Sequence, residues 1–256
     1  MKKYNLRCPY CFCINIKKNG KNTTKKKQKF KCKDCKCSFV IDGKYWAVSE
    51  EQRTYITRLL AERISLRGIC RVVKISLSWL MTYIKHLYKS LPDDLNYVIP
   101  KNTFKKTSNI DIKLIDSEID EMWSFVAKKK NKRWIWIALC RTTRQVIAFY
   151  VGDRGRDSAI RLWDMIPKDL KERCKFHTDD WDAYKGVIPE SKHFYSKTKK
   201  ETTHIERFNN TVRQRVSRLV RKALSFSKID ENHIGAIKYF FCWYNLERQN
   251  VLALTL

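Results

Sequence analysis

Two groups of residues in this chain have the types and spacing of metal chemistry. The first is soft. Cys8-Pro9-Tyr10-Cys11 and Cys32-Lys33-Asp34-Cys35 give the pattern C-x2-C-x20-C-x2-C. Each Cys-x-x-Cys turn aims two sulfurs at one point, and four thiolates satisfy a tetrahedral Zn2+. Cys13 and Cys37 extend each pair to Cys-x-x-Cys-x-Cys, so one of them substitutes for a neighbour or both are bystanders. The surrounding segment is so poor in apolar residues that bound metal would supply much of its folding energy. Buried or redox-active thiols without metal are the alternative.

The second group is hard. In Glu118-Ile119-Asp120-Glu121-Met122-Trp123-Ser124-Phe125, a period of two puts Ile119, Glu121, Trp123 and Phe125 on one face, with Glu118, Asp120, Met122 and Ser124 on the other. Asp120 then lies mid-strand, where an acidic side chain needs a partner or a cation. Asp179, in Phe176-His177-Thr178-Asp179-Asp180-Trp181, ends a short strand, the end where ligand sites of α/β sheets gather. Glu206 lies beside a helical stripe of Ile205, Phe208, Val212, Val216 and Leu219, with Asn210 and Arg213 at i+4 and i+7. Thr203-x-x-Glu206 also reads as a capping box, which needs no catalytic role. Brought together, the three carboxylates can hold two Mg2+ or Mn2+ ions, one activating the attacking oxygen of a phosphoryl transfer and the other stabilising the leaving oxygen.

The elements that must position these groups follow from composition and period. Residues 1–45 are dominated by Lys and Cys and read as a zinc ribbon, with Lys17, Lys18, Lys21 and Lys25 to Lys27 on a loop facing phosphate. Residues 46–91 turn to apolar residues at helical spacing: Ile56, Leu59, Leu60, Ile64, Ile69, Val72 and Val73. Ile69 to Leu80 follows the helix-turn-helix pattern, except that Lys74 holds the turn position usual for Gly, where a side chain is disfavoured at positive φ. In that motif Leu77, Ser78, Met81, Thr82 and Lys85 face outward toward a DNA major groove; an ordinary helical hairpin is the competing reading. Residues 92–113 read as a linker. Beyond it, β-like runs at Leu114 to Ala127, Arg133 to Cys140 and Gln145 to Val151 imply a hairpin meander. A helix over Asp157 to Met165, a short strand over Cys174 to Thr178 and two helices in the last sixty residues complete an α/β unit over 114–256. Its strand and helix order is that of a ribonuclease-H-like mixed sheet.

Composition narrows the classes. The 256 residues carry 54 Lys and Arg against 26 Asp and Glu, a net charge of +28. That excess calls for a polyanionic partner, and nucleic acid leads. No apolar run reaches the ~18 residues of a membrane span, and the Lys-rich start lacks a signal peptide's apolar segment. Paired cysteines in such a chain indicate a reducing, intracellular compartment.

At these residues the chain resembles the transposases of the insertion-sequence-one family. The matching stretches are Glu118 to Trp123, Thr178-Asp179-Asp180-Trp181-Asp182-Ala183-Tyr184, Ile205-Glu206-Arg207-Phe208-Asn209, Arg213-Gln214, and Arg221-Lys222-Ala223-Leu224-Ser225-Phe226-Ser227-Lys228. The two N-terminal cysteine pairs followed by a helix-turn-helix resemble the family's DNA-binding part. The resemblance implies a DDE-type recombinase with Asp120, Asp179 and Glu206 as metal ligands and Arg213 as a basic residue near the catalytic helix. Asp180 stands where a Gly is usual, so both Asp179 and Asp180 are candidates for the metal. Such an enzyme binds transposon ends, hydrolyses a phosphodiester to free a 3′-OH and joins that hydroxyl to target DNA. It acts as a dimer or larger assembly on DNA, because two ends must be paired. A non-catalytic DNA-binding regulator and a structure-selective nuclease on the same core are the rival functions.

Overall fold

The computed structural model describes residues 6–11, 13–22, 26–41, 48–98, 115–195, 201–219 and 225–254. It divides into two compact units, Met1–Ser90 and Leu91–Leu256. Lys25, residues 99–113 of the segment read as a linker, Leu114 and the Arg221–Leu224 part of the distinctive C-terminal motif lie outside the described residues.

In the N-terminal unit, β1 (Ile16–Lys21), β2 (Gln28–Cys32) and β3 (Ser38–Val40) form an antiparallel sheet in that order. Helices α1 (Glu50–Leu60), α2 (Leu66–Val73) and α3 (Leu77–Lys89) follow. Each helix starts at a serine whose hydroxyl accepts a first-turn backbone N–H: Ser49, in a capping box with Gln52, then Ser65 and Ser76. Ile56, Ile69, Val73, Trp79, Leu80 and Ile84 meet in their core. Val72, read from sequence as part of this stripe, is instead 66% exposed. The turn between α2 and α3 runs through Lys74 at φ 57° and ψ 48°. The left-handed conformation is therefore adopted by a side-chain-bearing residue, at a cost of about 1 kcal/mol. The Ile75 N–H, donated to the Cys70 carbonyl at 3.1 Å, is among the bonds that hold it there.

In the C-terminal unit, β4 (Ile115–Phe125), β5 (Lys132–Cys140) and β6 (Val146–Gly152) form the expected antiparallel meander. After α4 (Arg156–Met165) and α5 (Lys168–Arg173), the chain returns as β7 (Cys174–Thr178), parallel to β4, and then β8 (His193–Tyr195), parallel to β7. The mixed sheet has the order β6-β5-β4-β7-β8. The β4–β7 ladder covers Ile115 to Glu118, whereas the β4–β5 ladder continues to Phe125. Helix α4 closes one face of the sheet, packing Ala159 and Leu162 against Trp136, Ala138 and Phe176. Helices α6 (Thr203–Arg215) and α7 (Asp230–Leu254) close the other, where Ile205, Phe208, Phe240 and Phe241 meet Met122, Ile135 and Ile137. Asn245 of α7 accepts the Val146 N–H (2.7 Å) and donates to the Val146 and Leu95 carbonyls (2.8 and 2.9 Å), which satisfies backbone groups at the β6 edge. Leu95 itself is buried in the core beneath α6 and α7. No helix among the described residues is long and apolar enough to cross a membrane.

Candidate functional site

The cysteine turns converge as their spacing requires. The sulfurs of Cys8, Cys11, Cys32 and Cys35 all lie within 4.8 Å of one another. Cys8 to Cys35 is 3.6 Å and Cys11 to Cys32 is 3.5 Å. Tetrahedral thiolates about 2.3 Å from Zn2+ would stand roughly 3.8 Å apart, so the donor set fits that ion. The ten cysteines are free thiols. Burial opposes ionisation of the Cys32 thiol, but donation from Cys13 and from the Cys35 and Asp34 N–H groups outweighs it and holds Cys32 down at about 6. Cys8 lacks that balance, and burial pushes its thiol up. Cys13 stands beside the cluster, its sulfur 3.1 Å from that of Cys32.

The acidic residues gather at the C-terminal end of β7 and along β4. Asp120 is largely buried, and burial together with Glu121, Asp179 and Glu206 pushes its carboxyl up to about 7. Asp179 lies just past the end of β7, its Oδ1 accepting the Trp181 N–H at 3.2 Å. Its charge acts on Asp120 and on Glu121. Asp180, by contrast, is paired with Lys185 at 3.8 Å. Asp182 is exposed and also paired with Lys185, at 2.6 Å.

Glu206 is half-buried in the first turn of α6. The capping box read from Thr203 and Glu206 does not form: the N-cap is Thr202, with no side-chain cap bond. The Ile205 N–H is taken instead by the carboxylate of Glu118, at 2.8 Å. Arg213 is half-buried two turns along the same helix, beside Arg215, which is paired with Glu247 at 2.7 Å.

Several residues with a part in this arrangement escaped the sequence reading. Asn209 donates its side-chain amide to Asp120 at 2.7 Å, tying α6 to β4; its position three residues after Glu206, on the same helical face, is the available signal. On the opposite face of β4, buried Glu121 accepts from Arg154 (2.9 Å) and from the Tyr184 hydroxyl (2.8 Å). The Arg154 guanidinium is stacked between Trp134 and Trp181, 4.5 and 4.2 Å from the ring centres, which braces the loop that follows Asp179. Nothing in the sequence around Arg154 announces that role.

On α3, Leu77, Ser78 and Lys85 are exposed, and Met81 and Thr82 half-buried. The Thr82 hydroxyl donates to the Ser78 carbonyl at 3.1 Å. Trp79, Leu80 and Ile84 face the core.

A family model described as IS1 transposase matches residues 113–253. The insertion element iso-IS1n protein InsB of Shigella dysenteriae is 36% identical over 124 residues, covering 48% of this chain and 91% of that protein. The insertion element IS1 protein InsB of Shigella flexneri is 35% identical over 127 residues, 50% of this chain and 94% of the relative. The insertion element IS1 4 protein InsB of Escherichia coli K12 is 34% identical over 128 residues, 50% of this chain and 74% of its own length.

Proposed function

The chain belongs to the IS1 transposase family, and from that premise we propose that it is a DDE-type transposase whose ribonuclease-H-like unit carries Asp120, Asp179 and Glu206 as its metal-binding triad. The observation that carries this reading is the upward push on the Asp120 carboxyl, caused first by burial, then by Glu121, and then by Asp179 and Glu206. A strand-end acid and a helix acid thus act on the one buried acid of the strand, which supports reading the three as one site. Hard oxygen donors of this kind suit Mg2+ or Mn2+. Bound there, two such ions would activate an attacking oxygen and neutralise the leaving oxygen of a phosphodiester.

The chain's own residues do the rest. Asn209 holds the Asp120 carboxylate through one of its oxygens. The Lys185 partner of Asp180 supports Asp179 over Asp180 as the second ligand. Arg213, on the helix that carries Glu206, is suited to hold a DNA phosphate. The N-terminal unit, with the cysteine cluster and with Leu77, Ser78, Met81, Thr82 and Lys85 on α3, is assigned to recognition of the transposon ends. Its helix pair is read as a helix-turn-helix, and the net charge of +28 matches the DNA backbone. Two ends must be held together, so the working form on DNA is at least a dimer.

The test is an assay that separates strand-transfer products from nicks, run with Glu206→Gln beside the wild type. Joined products that vanish in the variant, while DNA binding persists, support the reading. Nicks without joining would favour the nuclease; absence of both in the wild type would favour the DNA-binding regulator.

A further inference from the structure

We infer that Glu118 is a positioning residue that sets helix α6, and with it Glu206, at a fixed distance from Asp120. Its carboxylate is fully buried and uses both oxygens: one accepts from Arg141 Nε at 2.9 Å, the other accepts the Ile205 backbone N–H at 2.8 Å. Glu118 stands two residues before Asp120 on the same face of β4, and Ile205 is the residue before Glu206. One side chain thus joins the backbone carrying one acid to the backbone carrying another. The bond does local duty as well, because α6 has no side-chain cap of its own and Glu118 supplies a negative group to its N-terminus.

Arg141 extends the tie. The same guanidinium that holds Glu118 donates to the Glu201 carboxylate and to the Glu201 carbonyl, each at 2.8 Å, and so pins the segment that leads into α6. His177, on the neighbouring strand β7, stands 3.3 Å from Glu201 and 3.5 Å from Asp116. A buried ion pair is a weak way to stabilise a fold, since apolar side chains of similar volume serve as well or better. What it supplies that they do not is a directional bond to a chosen N–H. The Asn209 bond to Asp120 is a second tie, one turn further along α6. Together the two fix both the height and the rotation of the helix against the strand.

The inference rests on the reading of Glu206 as a metal ligand, and its test separates the two. Mn2+ binding to the full-length chain is followed by the electron paramagnetic resonance signal of free Mn2+, for the wild type, Glu118→Gln, Glu118→Ala and Glu206→Gln, with DNA affinity and circular dichroism measured in parallel. Glu118→Gln keeps the volume but satisfies only one of the two donors, so it remains informative if Glu118→Ala does not fold. Groups that orient a ligand typically matter by 10–100-fold, so Glu118→Gln should weaken Mn2+ binding by about tenfold and raise the Mg2+ needed for half-maximal cleavage similarly. DNA affinity should stay at the wild-type value. Wild-type Mn2+ affinity in Glu118→Gln, with loss in Glu206→Gln, overturns the positioning role alone. Wild-type affinity in both removes Glu206 from the metal site and the positioning role with it.

Discussion

In the Met1–Ser90 unit the contacts that fix geometry are helix caps three residues long and cysteine contacts spanning 21 and 27 positions, whereas in Leu91–Leu256 they span far longer stretches of chain. Ser49, Ser65 and Ser76 each cap the helix that begins at the next residue, and each cysteine pair is closed by its own turn. In the larger unit Glu118 bonds Ile205 across 87 positions, Asp120 meets Asn209 across 89, and Asn245 meets Leu95 across 150. The difference is one of chemistry as well as distance. Thiols gather readily because they tolerate burial as neutral groups. Carboxylates repel one another, so a scaffold of long-range bonds must hold them together.

The strongest test of that contrast is metal removal. Structural zinc contributes about 10–16 kcal/mol of apparent folding free energy in small ribbons and fingers. Chelation, or Cys32→Ser, should therefore unfold the region of β1 to β3 while the mixed sheet persists, as read by hydrogen exchange along the chain. Metal analysis of protein prepared under reducing conditions should give about one zinc per chain. Persistence of native exchange protection in β1 and β2 after chelation would break the comparison.

The carboxylate site should respond in the opposite way. If the proposed triad holds the metal, Asp120→Asn and Asp179→Asn are each expected to reduce cleavage and joining by roughly a thousandfold or more, because each would remove a ligand. In Mg2+-free buffer Asp120→Asn should raise the thermal midpoint of the Leu91–Leu256 unit. The sign follows from linkage: an acid whose folded pKa is raised destabilises the fold progressively as pH rises from its unfolded value toward about 7. A lower midpoint at pH 7 would show that Asp120 is held by partners rather than opposed by neighbours.

A smaller effect separates burial from charge repulsion within the same unit. His233 of α7 meets Ser124 of β4 at 3.0 Å, and the Ser124 hydroxyl already donates to the Arg133 carbonyl, so the His233 Nε2–H is the donor. Burial pushes His233 down to about 4. The unfolded chain takes up this proton near pH 6.5, so its contribution is intact above that pH and is lost as pH falls toward 4, by about 3 kcal/mol at most. His233→Gln, whose amide can donate to Ser124, should flatten the fall, measured as the difference between the two chains' stability over pH 4 to about 7. Equal slopes would refute the assignment.

The smallest expected effect is local. Lys74→Gly should stabilise the N-terminal unit by up to about 1 kcal/mol, by relieving the left-handed turn residue. Destabilisation by denaturant titration would mean that the Lys74 side chain contributes contacts that outweigh its backbone strain.

What could be read from the sequence follows the same division. The cysteine cluster was legible because spacing alone sets sulfur geometry. The β4–β5–β6 meander, α4, β7 and the parallel crossover were legible because alternation, turn residues and Pro167 mark them. Helix α5 and strand β8 were not, being six and three residues long, too short for a period to show. Glu118 was placed on the correct face of β4, but its bond to Ile205 has no local signature. The box at Thr203 does not form because the helix starts one residue earlier: Thr202 is the N-cap, and the Glu206 N–H that the box would use donates to the Thr202 carbonyl. Asn209 and Asn210, at i+3 and i+4 from Glu206, are equivalent on paper, and only the packed helix shows that Asn209 is the one that meets Asp120.

The early stop of the parallel ladder has its own consequence. Past Glu118 and His177 the pairing of β4 with β7 ends, with Asp120 two positions further along one strand and Asp179 just beyond the end of the other. Where the ladder ends is a matter of backbone pairs rather than of any acidic side chain. Were the zip to run two pairs further, Asp120 would lie opposite Asp179 in a closed ladder and the notch between them would be filled by main chain. The space beside Asp120 is thus a place where the sheet declines to continue, and it belongs to the backbone before it belongs to the residues that line it.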